Sequence, residues 1–344
     1  MTTSTPPEAA PPAGGPPPLV REMQSMVNGL FRTQALYVAA TLGIADLLAD
    51  GPRDANALAS ATDAHAPSLD RVLRFLASLG VFTRDPEGRY ALTELGELLR
   101  SDHPNSARRG AIFYGSPFIY DAWGHLLDSV RTGESAFEVA HGSNLFAYVA
   151  TDPGALRVNS DYMTEMAGRR SPVAAQYRFP EAGLVVDVGG GAGRMLAGIL
   201  EANLGLRGLL LDRPEVVQAA IATMAAAGLS DRCETVAGDF FEAVPEAGDL
   251  YILSNILHDW DDERCATILA NCRRAMAPGA KLLVVDGILG DGPAAAFIIS
   301  IDVQMLAVTG GKQRTEAEFR TLLDPAGFQV TQVTAPFFLE AVAV

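Results

Sequence analysis

Basic residues are scarce in this 344-residue chain: 26 lysines and arginines stand against 41 aspartates and glutamates, a formal net charge of −15. So acidic a balance argues against a nucleic-acid partner, because phosphate binding needs a basic surface. Cysteine is scarce as well. The three present, Cys233, Cys265 and Cys272, show no C-x-x-C spacing. With no secretory signal either, a reducing cytoplasm is the expected setting. Five scattered histidines make no metal cluster, and no metal is expected. Long apolar runs are missing too. Hydrophobic residues make up 49% of the chain, yet no uncharged run reaches the ~18 residues of a membrane helix. Residues 1–18 hold almost no bulky apolar side chain, only Pro, Ala, Gly and Thr for the most part. They are expected to form a disordered tail.

What the chain does have is length for two domains and a large core, and one dense local signal. Leu184-Val185-Val186-Asp187-Val188 reads as a strand and runs into Gly189-Gly190-Gly191-Ala192-Gly193. Behind the turn, Arg194 to Leu200 carries apolar residues at helical spacing. Strand, glycine turn and helix in that order make a nucleotide cradle. A dinucleotide fingerprint wants a small residue at the sixth position, where this chain has Arg194. No Gly-Lys-Ser/Thr follows, so a P-loop is excluded. What is left is G-x-G-x-G, a backbone brought close to a ligand that need not carry phosphate.

Three further features fall in register. Asp212 closes a second apolar strand at Gly208–Leu211, where its carboxylate could bind a ribose diol; alternatively it is a loop acid before the helix that follows Pro214. Asp239 and Phe240 follow a third strand at Cys233–Val236. They could take an adenine amino group and ring face, although Phe240 or Phe241 also reads as core. A fourth strand runs from Tyr251 to about Ile256, and His258 stands just past its carboxyl end, the edge at which open α/β sheets bind ligands. Asp262 reads as an N-cap or first-turn acid of the next helix, in which Cys265, Ile268, Leu269, Cys272 and Met276 share a face.

Toward the N-terminus, residues 19–48 read as helical. Residues 54–99 read as helix, helix and hairpin, the hairpin turning at Asp85-Pro86-Glu87-Gly88. That is a winged-helix pattern, which in its literal sense would bind DNA. The helix that would enter the groove offers only Arg71 and Arg74, beside Asp70. Residues 106–170 read as helical and aromatic-dense, the composition of an apolar pocket for a flat substrate. Phe328–Thr334 and Phe337–Val342 read as a closing hairpin with an antiparallel edge strand.

These residues resemble the S-adenosylmethionine-dependent O-methyltransferases of the plant caffeate and bacterial polyketide-tailoring type. The resemblance rests on VVDVGGGAGR (185–194), LLLDRP (209–214), GDFF (238–241), SNILHDWDDERC (254–265), PGAKLLVVD (278–286) and GGKQRTEAEFRTLLDPAGF (310–328), with weaker similarity at 34–52 and 69–99. It implies a Rossmann-like class I α/β methyltransferase sheet and a helical winged-helix dimerisation domain. The expected division is 1–18 tail, 19–105 dimerisation domain, and 106–344 helical pocket segment with methyltransferase domain. It further implies S-adenosylmethionine as cofactor, S-adenosylhomocysteine as its product, and a homodimer whose N-terminal helices reach into the partner's substrate pocket. Under this resemblance Gly189, Gly191, Asp212, Asp239, Phe240 and Ser254 hold the cofactor, and Tyr162, Met163, Met166 and Asn255 contact an aromatic small molecule. His258 is the general base, flanked by Asp286 and Gln313 where the family has two glutamates. Ser254 stands where plant members place Lys.

The expected reaction is methyl transfer to a hydroxyl, phenolic by expectation, of a secondary metabolite such as an antibiotic precursor. The alternatives are transfer to nitrogen or to an aliphatic hydroxyl, or a cofactor-retaining member with non-methylating chemistry, a hydroxylase or pericyclase.

Overall fold

The computed structural model describes residues 17–174 and 176–344. The tail expected at 1–18 thus lies, up to residue 16, outside the described residues. The described chain divides into two compact units, one ending at Gly115 and the other running from Ser116 to Val344.

In the first unit, the stretch expected to be helical over 19–48 forms three helices, Pro18–Val27, Gly29–Thr41 and Ile44–Leu47. The last break falls at Gly43, whose φ of 64° is left-handed. Helices Ala55–Thr62 and Ala66–Ser78 follow. Asp54 caps the first of them, its Oδ1 accepting from the Ala57 backbone N–H at 2.8 Å. The wing is the antiparallel pair β1 (Phe82–Arg84) and β2 (Tyr90–Leu92). Leu69, Leu73, Leu76, Phe82 and Tyr90 meet in one core. The Asp70 carboxylate takes both Arg74 and the Tyr90 hydroxyl, at 2.9 and 2.7 Å. One of the two basic side chains of the supposed groove helix is therefore already paired. Helix Arg108–Gly115 belongs to this unit, so the division falls ten residues later than the expected boundary at 105/106. The reason is close packing on Gly29–Thr41: the Gly115 carbonyl accepts from Gln34 Nε2 at 3.2 Å, and Arg108 Nε donates to the Ala40 carbonyl at 2.9 Å.

In the second unit, five helices between Pro117 and Ala174 precede a seven-stranded sheet. Its strands are β3 (Gly183–Val188), β4 (Leu206–Asp212), β5 (Cys233–Ala237), β6 (Leu250–Ser254), β7 (Lys281–Val285), β10 (Phe328–Thr334) and β11 (Phe338–Ala343). A separate two-residue pair, β8 (Ile288–Leu289) and β9 (Arg314–Thr315), runs parallel. The sheet order is β10-β11-β7-β6-β3-β4-β5. The strands from β7 across to β5 are parallel, and β11 runs against β7 and β10. The antiparallel strand therefore lies one place in from the edge, which β10 occupies. Strands β3, β6 and β7 have almost wholly buried interiors, as befits a sheet covered on both faces. The chain winds outward from β3 to β4 and β5, then returns to β6 on the other side of β3. That reversal opens a crevice beyond the carboxyl ends of β3 and β6, where such sheets bind ligands.

Candidate active site

The glycine turn after β3 is stitched to the neighbouring strand: Gly189 and Gly190 N–H both donate to the Leu211 carbonyl, at 2.8 and 3.3 Å. Gly191 has a φ of 59°, with open space where a side chain would stand. A residue with Cβ would be strained there and would fill the space over the turn. Asp212 ends β4 and faces this turn. Its Oδ2 accepts the Gly191 N–H at 2.7 Å and its Oδ1 accepts the Arg213 N–H at 2.7 Å. Each oxygen keeps a further lone pair for a ligand hydroxyl. Burial pushes the Asp212 carboxyl up, against the pull of those two backbone donors. The helix Pro214–Ala226 has Arg213 rather than Asp212 at its N-cap, which leaves the Asp212 side chain to the turn.

Asp187 lies beneath the same turn. It is 1% exposed, and neither of its oxygens has a hydrogen-bond partner among the described residues. Burial, and then the Asp212 charge, raise its carboxyl to about 7. In the sequence Asp187 is read only as one residue of a strand. An acid inside a run of buried β residues was the available signal.

Beyond β5, Asp239 is exposed, with Oδ1 accepting the Phe241 N–H at 2.8 Å. Asn271 Nδ2 donates to the Phe240 and Phe241 carbonyls, both at 2.8 Å, and so fixes that loop from helix Asp262–Ala275. The rings of Phe241 and Phe146 lie 4.8 and 5.1 Å from Trp260, the first edge-on and the second stacked.

The fourth strand stops at Ser254, short of the expected Ile256, because Asn255 turns left-handed with a φ of 55°. Non-glycine residues in that region are sparse and cluster at functional sites. Asn255 Nδ2 donates to Ser254 Oγ at 3.4 Å, while its Oδ1 is buried without a partner among the described residues. The chain then makes a 3₁₀ turn, Leu257–Asp259, that presents His258, 7% exposed. Asp261, not Asp262, caps the next helix, accepting the Arg264 N–H at 2.8 Å. Asp262 remains as the first-turn acid.

The structure brings His258, Asp286 and Gln313 together. Asp286 Oδ1 and Gln313 Nε2 each lie 3.0 Å from His258 Nδ1. Asp286 stands just past β7. Gln313 arrives through the β8–β9 ladder, which pairs Ile288 with Arg314. Asp302 Oδ1 accepts the Gln313 backbone N–H at 2.7 Å. Asp302 is another acid the sequence reading missed, although it is the one charged residue of helix Ala295–Val308. Nδ1 holds at most one proton. The arrangement that satisfies all three side chains has Nδ1–H donating to Asp286, with the carboxamide oxygen of Gln313 turned to the ring. Nε2 is then left with its lone pair, 3.7 Å from Asp259 Oδ1. Close approach makes this possible: a Cβ on Gly311 would sit 2.0 Å from the His258 carbonyl oxygen.

Tyr162, Met163 and Met166 share helix Pro153–Ala174, with Tyr162 buried, Met166 half-buried and Met163 46% exposed. Among the described residues, no three His, Cys, Asp or Glu side chains converge as a metal site, and no helix is long and apolar enough to cross a membrane.

The crevice fits S-adenosylmethionine on its own features: the open backbone at Gly191, the spare lone pairs of Asp212 and the unpartnered oxygen of Asn255. Comparison with known proteins agrees. The O-methyltransferase domain family matches residues 123–329, and an O-methyltransferase dimerisation domain matches residues 24–102. The phenazine O-methyltransferase PhzM of Lysobacter antibioticus is 46% identical over 320 residues, which span 92% of this chain and 93% of that protein. The 8-amino-8-demethylriboflavin N,N-dimethyltransferase of Streptomyces davaonensis is 36% identical over 87% of each chain. Among solved structures, an O-methyltransferase from neocarzinostatin biosynthesis in complex with S-adenosylmethionine and 2-hydroxy-5-methyl naphthoic acid superposes with a TM-score of 0.81. It is 36% identical, over 91% of this chain and 96% of that one. The chain belongs to the S-adenosylmethionine-dependent O-methyltransferases.

Proposed function

We propose that this enzyme methylates a phenolic hydroxyl of a small aromatic secondary metabolite, with His258 as general base. The observation that carries the reading is the pair of contacts at His258 Nδ1, from Asp286 and Gln313, both at 3.0 Å. S-adenosylmethionine, when bound, supplies an electrophilic methyl group on a positively charged sulfur. The acceptor phenol is a weak nucleophile at neutral pH, since its pKa is about 10. Nε2 of His258 takes the phenol proton as the oxygen attacks, a contribution of ~10²–10⁴-fold. Asp286 holds the ring in the tautomer whose proton is on Nδ1 and whose lone pair is on Nε2, and its charge stabilises the imidazolium that results. Gln313 orients the ring without adding charge.

In this reading Gly189, Gly191, Asp212, Asp239, Phe240 and Ser254 hold the cofactor. Tyr162, Met163, Met166 and Asn255 belong to the acceptor side, and the Phe146–Trp260 stack helps to wall the site. The aromatic acceptors in the names of relatives support a flat substrate. A cytoplasmic setting agrees with the three buried, unpaired cysteines.

We read the enzyme as a homodimer. Leu19, Met23, Met26, Val27, Leu30 and Phe31 are exposed by 45–78% on the first two helices. Covering them by a second copy would remove this remaining apolar surface from water, at about 25 cal/mol per Å².

Incubating the purified protein with methyl-labelled cofactor and a panel of hydroxyphenazines, hydroxynaphthoates and aminophenols tests the activity. The label should appear as an O-methyl ether. A nitrogen acceptor is the second reading, favoured by the neutral Gln313 and the N,N-dimethyltransferase relative. N-methyl product on the aminophenols would establish it, and cofactor binding with no transfer to any acceptor would sink both.

A further inference from the structure

We propose that Arg314 is a positioning residue for His258: its guanidinium grips the short turn that carries the base and thereby sets where Nε2 points. The proposal rests on the reading of His258 as general base.

Arg314 is 1% exposed, one of the most deeply buried side chains in the molecule and a charged one. Its partners are nearly all on one peptide segment. Nη1 donates to the Leu257 carbonyl at 2.7 Å and Nη2 donates to the Trp260 carbonyl at 2.9 Å. Nη2 and Nε also reach Asp262 Oδ1, at 2.8 and 3.1 Å. Leu257 and Trp260 bracket His258 and Asp259. The guanidinium thus spans the turn from one side to the other and ties it to the first residue of helix Asp262–Ala275.

The turn's internal backbone bonds are Asp259 N–H to the Ile256 carbonyl at 3.1 Å and Trp260 N–H to the Leu257 carbonyl at 3.4 Å. Asn255, just before it, is in the strained left-handed region. A base must be held near its productive geometry to transfer a proton efficiently. Burying a guanidinium against carbonyls is a costly means of filling space, and an apolar side chain of similar volume would fill it more cheaply. The fixed planar fork of Arg reaches two separated carbonyls from two nitrogens, a geometry the single nitrogen of Lys does not reproduce.

Two neighbours complete the grip. The Cys265 thiol donates to the Leu257 carbonyl at 3.2 Å, and burial lifts its pKa to about 12, so it stays a neutral donor. Arg314 itself is fixed by β9 and by the capping box of helix Glu316–Leu323, in which Thr315 and Glu318 exchange hydrogen bonds. Residues of one short segment therefore serve one end. Gly311 lets the backbones meet, Gln313 touches the imidazole, and Arg314 holds the peptide behind it.

The test is a double-mutant cycle. R314M and R314K are made alone and with H258A. Each is assayed for kcat, for KM of the acceptor, for cofactor Kd by calorimetry and for melting temperature. R314M should lower kcat by about 10–100-fold, the worth of one or two hydrogen bonds from a charged donor. KM and cofactor Kd should stay within about twofold, because the loss is confined to the transition state. R314K should recover only part of kcat. In the H258A background, R314M should cost less than about twofold, since no base is left to position. Equal losses from R314M in the wild-type and H258A backgrounds would overturn the proposal while leaving the base reading intact, as would R314M turnover equal to wild type. Full turnover in H258A itself would overturn the base reading instead. Should R314M not fold, R314K carries the same cycle, because it keeps the charge and loses the fork.

Discussion

The crevice has two halves, one at the glycine turn after β3 and one beyond the ends of β6 and β7, and each contains a buried aspartate near the end of a parallel strand. On the glycine-turn side, Asp187 is 1% exposed, and neither oxygen has a partner among the described residues. On the other side, Asp286 is 2% exposed and meets an imidazole nitrogen at 3.0 Å. Burial, and then the nearby Asp212 charge, favour the protonated form, and Asp187 is lifted to about 7. A buried carboxylate facing a histidine can hold the ring's tautomer and share the charge when the ring is protonated. The glycine-turn half is otherwise backbone donors and a spare set of lone pairs, suited to binding. The histidine half is a proton-accepting assembly, suited to chemistry.

The sharpest way to break that division is H258A. Turnover should fall by about 10²–10⁴-fold in steady-state assays. Cofactor affinity by calorimetry should be unchanged, and a comparable loss of affinity would mean that the halves are not separate. D286N comes next. It keeps the shape and removes the charge, and kcat should drop by about 10–10²-fold, the loss of a hydrogen bond to a charged group. On the binding side, D212A should weaken cofactor Kd by about tenfold, one hydrogen-bonded contact's worth. It should leave kcat at saturating cofactor close to wild type; a kcat defect with normal Kd would reverse the assignment.

The smallest effect concerns stability. Asp187 is lifted from 3.8 to about 7 in the folded state. Between those values the folded chain binds a proton that the unfolded chain has lost, so stability falls as pH rises through that window, and the full penalty stands above it. D187N removes the penalty. Without cofactor, its melting temperature should exceed wild type by several degrees at pH 8 and match it near pH 4. An equal difference at both values would show that Asp187 finds a partner.

The two halves were not equally legible. The glycine turn, the acid at the end of β4 and the position of His258 follow from residues close together in sequence. Spacing therefore located them, and the structure placed Gly191 and Asp212 2.7 Å apart. Asp286 and Gln313 were named by family resemblance, since no spacing argument joins residues 258, 286 and 313. The two-residue strands β8 and β9 that align them are too short to leave a periodic signal. Arg314 was passed over because, in sequence, a lone arginine reads as surface. Helix Arg108–Gly115 groups by contacts with the first unit, a placement that nothing local in the sequence specifies.

By itself, the sequence determined the parts whose physics is local. A β run, glycines tolerant of φ > 0 and an apolar helix specify a cradle within about twenty residues, and the missing small residue at position 194 removes a dinucleotide from contention. The tertiary structure alone decided which side chains lose water together. Burial raised Asp187, gave Asp286 an imidazole and drew Arg314 beneath the turn that carries His258. Desolvation is set by everything packed around a group, and in this chain those neighbours come from segments as far apart as residues 257 and 314.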